Sequence, residues 1–263
     1  MIKEKLIKAA LIDWLYAKGL VSDAVIINEM VVSNWARRAD IAVANGRLYG
    51  FEIKSEFDSL KRLPGQIESF QRHFDKVTVV AASKFIPDIV SAYPSEVGIL
   101  EVCIKGSGFE LRQVRPGRIS EVRDSMSIAS LMTKVEIERL LKVENVSFES
   151  GLTRKELVRN LSSVSVRRLK SYALDALKKR YRETFLAFDS ARLQKGSLES
   201  LNLLSRSESL RVKIALAADL PVSFFKKSDL DSEQALDFSG ISEEFGAMPD
   251  YMPQTVLLRR KSN

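Results

Sequence analysis

At 263 residues, 45% hydrophobic and 29% charged, the chain can bury at least one full core and has the length of two ordinary domains, which excludes global disorder. A single cysteine, Cys103, excludes an intrachain disulfide, and a single histidine, His73, excludes a multi-histidine metal centre. The formal charge of +7 favours a polyanionic partner, and the excess is shared along the chain, with 17 Lys+Arg against 14 Asp+Glu up to residue 120 and 24 against 20 after it.

The opening segment MIKEKLIKAALIDWL has a polar or charged residue every few positions and no cleavable signal pattern. No apolar run anywhere approaches the ~18 residues of a membrane span, so a cytoplasmic protein without membrane association is expected. Residues 3–18 place Leu6, Ala9, Ala10, Ile12, Trp14 and Leu15 on an apolar stripe at helical spacing, with Gly19 as the cap that ends it. AVIINEMVVS is rich in β-branched residues and predicts a strand interrupted by Asn28 and Glu29. Two further strands near 38–44 and 47–54 flank an Asn-Gly turn. DSLKRLPGQIESFQRHFD predicts a turn and a helix starting near Pro64, where a missing N–H costs nothing. KVTVVAAS has the continuous apolar character of a strand covered on both faces; FIPDIVSAY predicts a short helix and VGILEVCIKG another strand, with Cys103 as a small buried hydrophobe.

Past residue 118 the texture changes. PGRISEVRDSMS is a polar connection, followed by the helical patterns IASLMTKVEIERLLK, LTRKELVRNLSS and VSVRRLKSYALDALKKRYRETFLAF. In LTRKEL, Thr153 and Glu156 have the spacing of a capping box. The expected fold is α/β: a mixed central sheet flanked by helices over residues 1–118, then a mainly helical, partly basic accessory domain over 119–263.

The stretch RRADIAVANGRLYGFEIKSE poses the functional question, because it reads as a half-buried hairpin yet carries Asp40, Glu52 and Lys54. Side chains alternate across a strand, so loop parity decides whether the two acids share a face. A two-residue Asn45-Gly46 loop would oppose Asp40 to Phe51 and separate them. A three-residue loop, Ala44-Asn45-Gly46, opposes Asp40 to Gly50 and puts Asp40, Glu52 and Lys54 on one side, with Ile41, Val43, Tyr49, Phe51 and Ile53 on the other. The odd loop is preferred because it sorts the apolar residues together. Two carboxylates about 5 Å apart repel by roughly 3 kcal/mol at an effective dielectric of 20, so they must share a proton, stay wet or gain a cation. Magnesium or manganese answers this with one or two protein carboxylates, and Lys54 is placed to position water or offset charge on phosphorus oxygens.

Asp40, the turn and Glu52-Ile53-Lys54 resemble the D…(D/E)XK signature of the restriction-endonuclease-like, or PD-(D/E)XK, nuclease superfamily. NEM at 28–30, RADIAV at 38–43, GFEIKSE at 50–56, RLPGQ at 62–66, FDKVTVV and YPSEVGILEV resemble in particular a group of bacterial and phage-borne proteins within it. The likeness covers about the first 115 residues and is weak beyond them. It implies hydrolysis of DNA phosphodiester bonds with one or two Mg²⁺ or Mn²⁺ ions. Asp40 and Glu52 would be metal ligands, Glu29 an additional acid from the preceding element, Lys54 the water-positioning or charge-stabilising residue, and Gln66 a polar partner that orients Lys54 or water. Arg38-Ala39 stands where many superfamily members have proline.

Each assignment has an ordinary structural counterpart: a salt-bridged sheet face for Asp40, Glu52 and Lys54, a polar strand residue for Glu29, an incidental helical glutamine for Gln66. Asp58 is expected to cap the next helical turn, Arg38 and Arg62 to meet phosphate, His73 to be structural, and Trp35 to pack under the hairpin. From Arg154 to Arg182 there are ten Lys or Arg residues against two acids. Arg159, Arg167, Arg168, Lys170, Lys178, Lys179 and Arg180 either contact a DNA backbone or form the solvated face of a helical domain whose core includes Leu169, Tyr172, Leu174 and Leu177. The leading expectation is a metal-dependent deoxyribonuclease; the alternatives are a non-catalytic nucleic-acid-binding protein on a nuclease scaffold and a protein-interaction module. Cutting both strands of a duplex takes two active sites or two sequential events, which leaves a homodimer open.

Overall fold

The computed structural model describes residues 2–32, 37–106, 108–205, 230–235 and 255–259. The chain divides into two compact units, Met1–Ser209 and Leu210–Asn263. In the second, strands β7 (Leu230–Ala235) and β8 (Thr255–Arg259) pair antiparallel. Trp35 lies outside the described residues.

The first unit begins with α1 (Glu4–Ala17), followed by the strands β1 (Val25–Val32), β2 (Arg37–Ala44) and β3 (Leu48–Lys54). Then come α2 (Leu63–Gln71), β4 (Lys76–Ala82), α3 (Ile86–Ala92), β5 (Gly98–Lys105) and β6 (Gly108–Arg115). The six strands form one sheet in chain order. β1, β2 and β3 are antiparallel, β3, β4 and β5 are parallel through the α2 and α3 crossovers, and β6 turns back antiparallel on β5. This is the α/β architecture expected, a mixed sheet flanked by helices and followed by a helical segment, with β6 as an additional edge strand.

The buried row of α1 is Ile7, Lys8, Ala9, Leu11, Ile12 and Leu15, whereas Leu6 is exposed and Trp14 only half-buried. The apolar stripe is thus rotated from the one expected, and it carries a lysine inside. Gly19, at φ +68°, takes the left-handed position that ends the helix. β3 runs through the sheet's interior, buried throughout except at the half-buried Tyr49. Gly50 lets it pass the Phe70–Phe74 edge-to-face pair, because a Cβ there would lie 2.8 Å from the Phe74 ring.

After the polar connection the chain forms α4 (Ser125–Ser130), α5 (Lys134–Val143), α6 (Arg154–Arg159), α7 (Val166–Lys195) and the short α8 (Ser197–Ser200). The Thr153–Glu156 capping box forms, and a second one, Thr133–Glu136, divides the single helix expected over 128–142 into α4 and α5. Two apolar clusters result. One comprises Ile128, Ile137, Leu140, Leu157, Leu161 and Leu169. The other is the sheet's own core, and Leu174, Leu177, Phe185, Phe188, Leu201 and Leu204 join it. Residues on both sides of position 118 therefore share one core inside the first unit.

Asp75, 1% exposed, ties these parts together. Its carboxylate accepts from the Leu48 and Val122 N–H groups, each at 2.9 Å, and from Lys170 Nζ at 2.5 Å. Its backbone adds an N–H bond to Leu48 O at 2.7 Å and a carbonyl bond from Ser120 N–H at 2.8 Å. One aspartate thus holds β3, the connection and α7.

Candidate active site

The hairpin has an odd loop, but it is Asn45-Gly46-Arg47: Ala44 opposes Leu48, Val43 opposes Tyr49 and Ala42 opposes Gly50. The register differs by two residues from the one expected, so the row continues to Asp40 opposite Glu52 rather than Gly50. A two-residue shift preserves parity. Asp40, Glu52 and Lys54 therefore lie on one face of the sheet, and Ile41, Val43, Tyr49, Phe51 and Ile53 on the other. Gly46, at φ +93°, makes the turn.

Glu52 and Lys54 are only 2% and 4% exposed. Lys54 Nζ donates to Glu52 Oε1 at 2.7 Å and to Gln66 Oε1 at 3.0 Å, and Gln66 Nε2 donates back to Glu52 Oε1. The three side chains form a closed ring of hydrogen bonds that fixes the lysine ammonium. The other oxygen, Glu52 Oε2, is buried with no hydrogen-bond partner. Asp40 Oδ2 accepts from the Ile53 N–H at 2.6 Å. Burial first, and the charge of Glu52 second, push the Asp40 carboxyl up to about 7, against the Ile53 hydrogen bond and the charge of Lys8. Burial also raises Glu52, with the Lys54 and Gln66 contacts opposing it.

Glu29 stands across from Asp40 on β1, between the pairs Asn28–Ile41 and Met30–Ala39. Its backbone is left-handed, φ +57°, an uncommon conformation for a non-glycine residue inside a strand. Its carboxylate meets Lys8 Nζ and Arg38 Nε. An oxygen from each of Glu4, Glu29 and Asp40 lies within 4.8 Å of the other two. Lys8 Nζ is 3.1 Å from Glu4 Oε1; burial works to lower the pKa of Lys8, but Glu29, Asp40 and Glu4 together hold it above the ordinary value.

The structure thus assembles Asp40, Glu52, Lys54 and Gln66, with Glu29 on the adjoining strand. Glu4 and Lys8 are additions from α1 that sequence reasoning did not find. The available signal was their i, i+4 spacing together with a lysine on the buried row of a helix.

The basic residues divide. Arg62, Arg159, Arg167 and Lys179 are exposed, whereas several others face acids of the same unit. Arg168 pairs with Glu144 at 2.7 Å, Lys170 with Asp75, Lys178 with Asp23 at 2.8 Å, and Arg180 with the capping Glu136. Arg38, exposed, reaches Glu29. Asp58 does not cap the following helix; it accepts from Ser55 N–H at 2.8 Å and Ser55 Oγ at 2.5 Å, closing the turn that leaves β3. His73 is buried, its Nδ1 2.7 Å from Ser69 O, and Cys103 is half-buried. Among the described residues no helix is long and apolar enough to cross a membrane.

The family described as bacteriophage P4 protein cII matches residues 1–205 of this sequence. The chain belongs to that family. Consistent with membership, it is 36% identical over 267 residues to Protein cII of Enterobacteria phage P4, covering 98% of each chain. The matched span of this cII-family chain contains the whole acidic cluster and helices α1 to α8. A solved structure, the SPO1766 protein of unknown function from Silicibacter pomeroyi, is similar at 14% identity and a TM-score of 0.36, over 56% of this chain and 94% of that one.

Proposed function

We propose that the protein is a metal-dependent deoxyribonuclease that hydrolyses phosphodiester bonds at the Asp40–Glu52–Lys54 cluster. The observation that carries the proposal is the unpartnered, buried Glu52 Oε2 on the same face as Asp40. A fold leaves such an oxygen bare only at a cost of about 1–3 kcal/mol, more for a charged group, so it calls for a ligand. The donors on offer are all carboxylate oxygens, which fits a hard divalent cation such as Mg²⁺ or Mn²⁺. Asp40 and Glu52 would hold it, with Glu29 and Glu4 at the margin. When bound, such an ion polarises the phosphodiester and lowers the pKa of coordinated water.

The protein's own groups supply the rest. Lys54, held between Glu52 Oε1 and Gln66 Oε1, has one ammonium proton left to offer a non-bridging phosphorus oxygen or an attacking water. Gln66 fixes that proton's direction by engaging both partners. Ile53 N–H keeps the Asp40 carboxylate turned toward Glu52. The exposed Arg62, Arg159, Arg167 and Lys179 would meet the DNA backbone, giving binding that weakens with salt and has little base preference.

The test is incubation of the purified chain with linear, nicked, branched and single-stranded DNA in Mg²⁺, Mn²⁺ or EDTA. Cleavage should require the metal and fall sharply in Lys54→Ala; equal cleavage in EDTA, or by Lys54→Ala, would reject the reading. Binding without cleavage on every substrate would favour a nucleic-acid-binding protein on a nuclease scaffold.

A further inference from the structure

The four carboxylates of the cluster are not equivalent. Glu4 and Glu29 share the Lys8 ammonium, which is 6% exposed as a residue and sits on the buried row of α1. Glu29 also meets Arg38. Glu52 has Lys54 and Gln66 on Oε1 and nothing on Oε2, and Asp40 accepts from the Ile53 N–H. The trio of Glu4, Glu29 and Asp40 oxygens has the spacing of a cation site, and a protein ammonium already lies against it.

We infer that Lys8 is a built-in cation that takes the place of a second metal ion, so that the cluster binds a single divalent ion, on Asp40 and Glu52. This deepens the nuclease reading and rests on it. The charge balance supports it. Four carboxylates face Lys8, Lys54 and Arg38, leaving one negative charge with every acid ionised. One divalent ion turns that to one positive, and a phosphodiester brings it to neutrality. A second ion would leave two uncompensated positive charges beside the buried Lys8 and Lys54 ammonium groups, which is unfavourable. Geometry agrees: an ammonium bonded to two of the three carboxylates of the trio competes for them with an ion that would sit there.

The test counts ions on the full chain without DNA, by Mn²⁺ electron paramagnetic resonance and isothermal titration calorimetry at pH 8. The native chain should bind one Mn²⁺, and Lys8→Met should bind two. The double variant Lys8→Met/Glu29→Gln, which removes the buried ammonium together with one of its two carboxylate partners and leaves only the more exposed Glu4 and Arg38 without theirs, should return to one. Folding of each variant is checked by circular dichroism, and the double variant keeps the test decisive if Lys8→Met alone is unstable: a return to two ions there, or two ions or none on the native chain, overturns the inference. One ion on Lys8→Met overturns it as well. Ion counts and cleavage are separate readouts. A chain that binds one ion but never cuts DNA defeats the nuclease reading and leaves the Lys8 inference standing, while a chain that cuts with two bound ions does the reverse.

Discussion

A buried carboxylate stands near each end of β3, Asp75 bonded to its start and Glu52 close to its last residue, and the protein treats them in opposite ways. At the Leu48 end, Asp75 is surrounded by donors from three segments, and its lone pairs are spent on holding β3, the connection and α7. Near the Lys54 end, about 13 Å along the strand, Glu52 keeps one oxygen bare and Asp40 faces it with a carboxyl pushed up to about 7. Burial alone does not separate a structural acid from a functional one, since both are nearly inaccessible. The separation comes from whether the surrounding chain finishes the hydrogen bonding or leaves it open.

Breaking this contrast is most dramatic at the open end. Lys54→Ala should reduce metal-dependent cleavage by about 10²–10³-fold, the effect of losing one preorganised charge-stabilising donor. DNA affinity in EDTA, measured by fluorescence anisotropy, should stay close to that of the native chain.

At the closed end, Asp75→Ala should cost about 3 kcal/mol of stability, because it strands two N–H groups and the Lys170 ammonium at once. Thermal or urea unfolding would measure it, and a melting temperature unchanged within error would refute the hub. A pH titration sharpens the comparison further. Asp40 has a folded pKa raised from 3.8 to about 7, so the folded state holds its proton more tightly than the unfolded chain. Its contribution is therefore fully present below about pH 4 and lost as pH rises through about 7. In EDTA the native chain should lose about 3 kcal/mol over that window relative to Asp40→Asn, and saturating Mn²⁺ should restore it.

The smallest effects concern the basic surface. Arg167→Ala should weaken DNA binding severalfold and lower the salt slope by about 0.9, one phosphate contact. Lys170→Ala should instead register mainly as lost stability, because its ammonium belongs to Asp75. Equal salt slopes for the two variants would show that the division of basic residues drawn from their ion pairs is mistaken.

How far the sequence reached follows the same physics. The parity of the hairpin was readable because alternation of Ile41, Val43, Phe51 and Ile53 constrains it, and that parity brings Asp40, Glu52 and Lys54 to one face. The register was not readable to the residue, since sliding the loop from 44–46 to 45–47 keeps every side chain on its face and changes only its partner. Glu4 was hidden because an acid in a helix's first turn has an ordinary dipole role, and Lys8 because the α1 stripe was read one position away from the buried row. β6 escaped because an edge strand half open to solvent, with Glu110, Arg112 and Gln113 among its residues, lacks the apolar run that marks β4 and β5. The Thr133–Glu136 box was written in the same notation as Thr153–Glu156, but an apolar pattern running across it masked the break. The basic helix was readable as charge and unreadable as function, because only the folded chain shows which cations already have acids beside them.

The left-handed backbone at Glu29 has an evolutionary reading. Glycine or asparagine would occupy that conformation with less strain, so the fold itself exerts a steady preference against glutamate there. Only a use for the carboxylate resists that drift. In a lineage released from whatever the acidic cluster does, position 29 is where erosion should become visible first, ahead of Lys54, whose ammonium is held by Glu52 and Gln66.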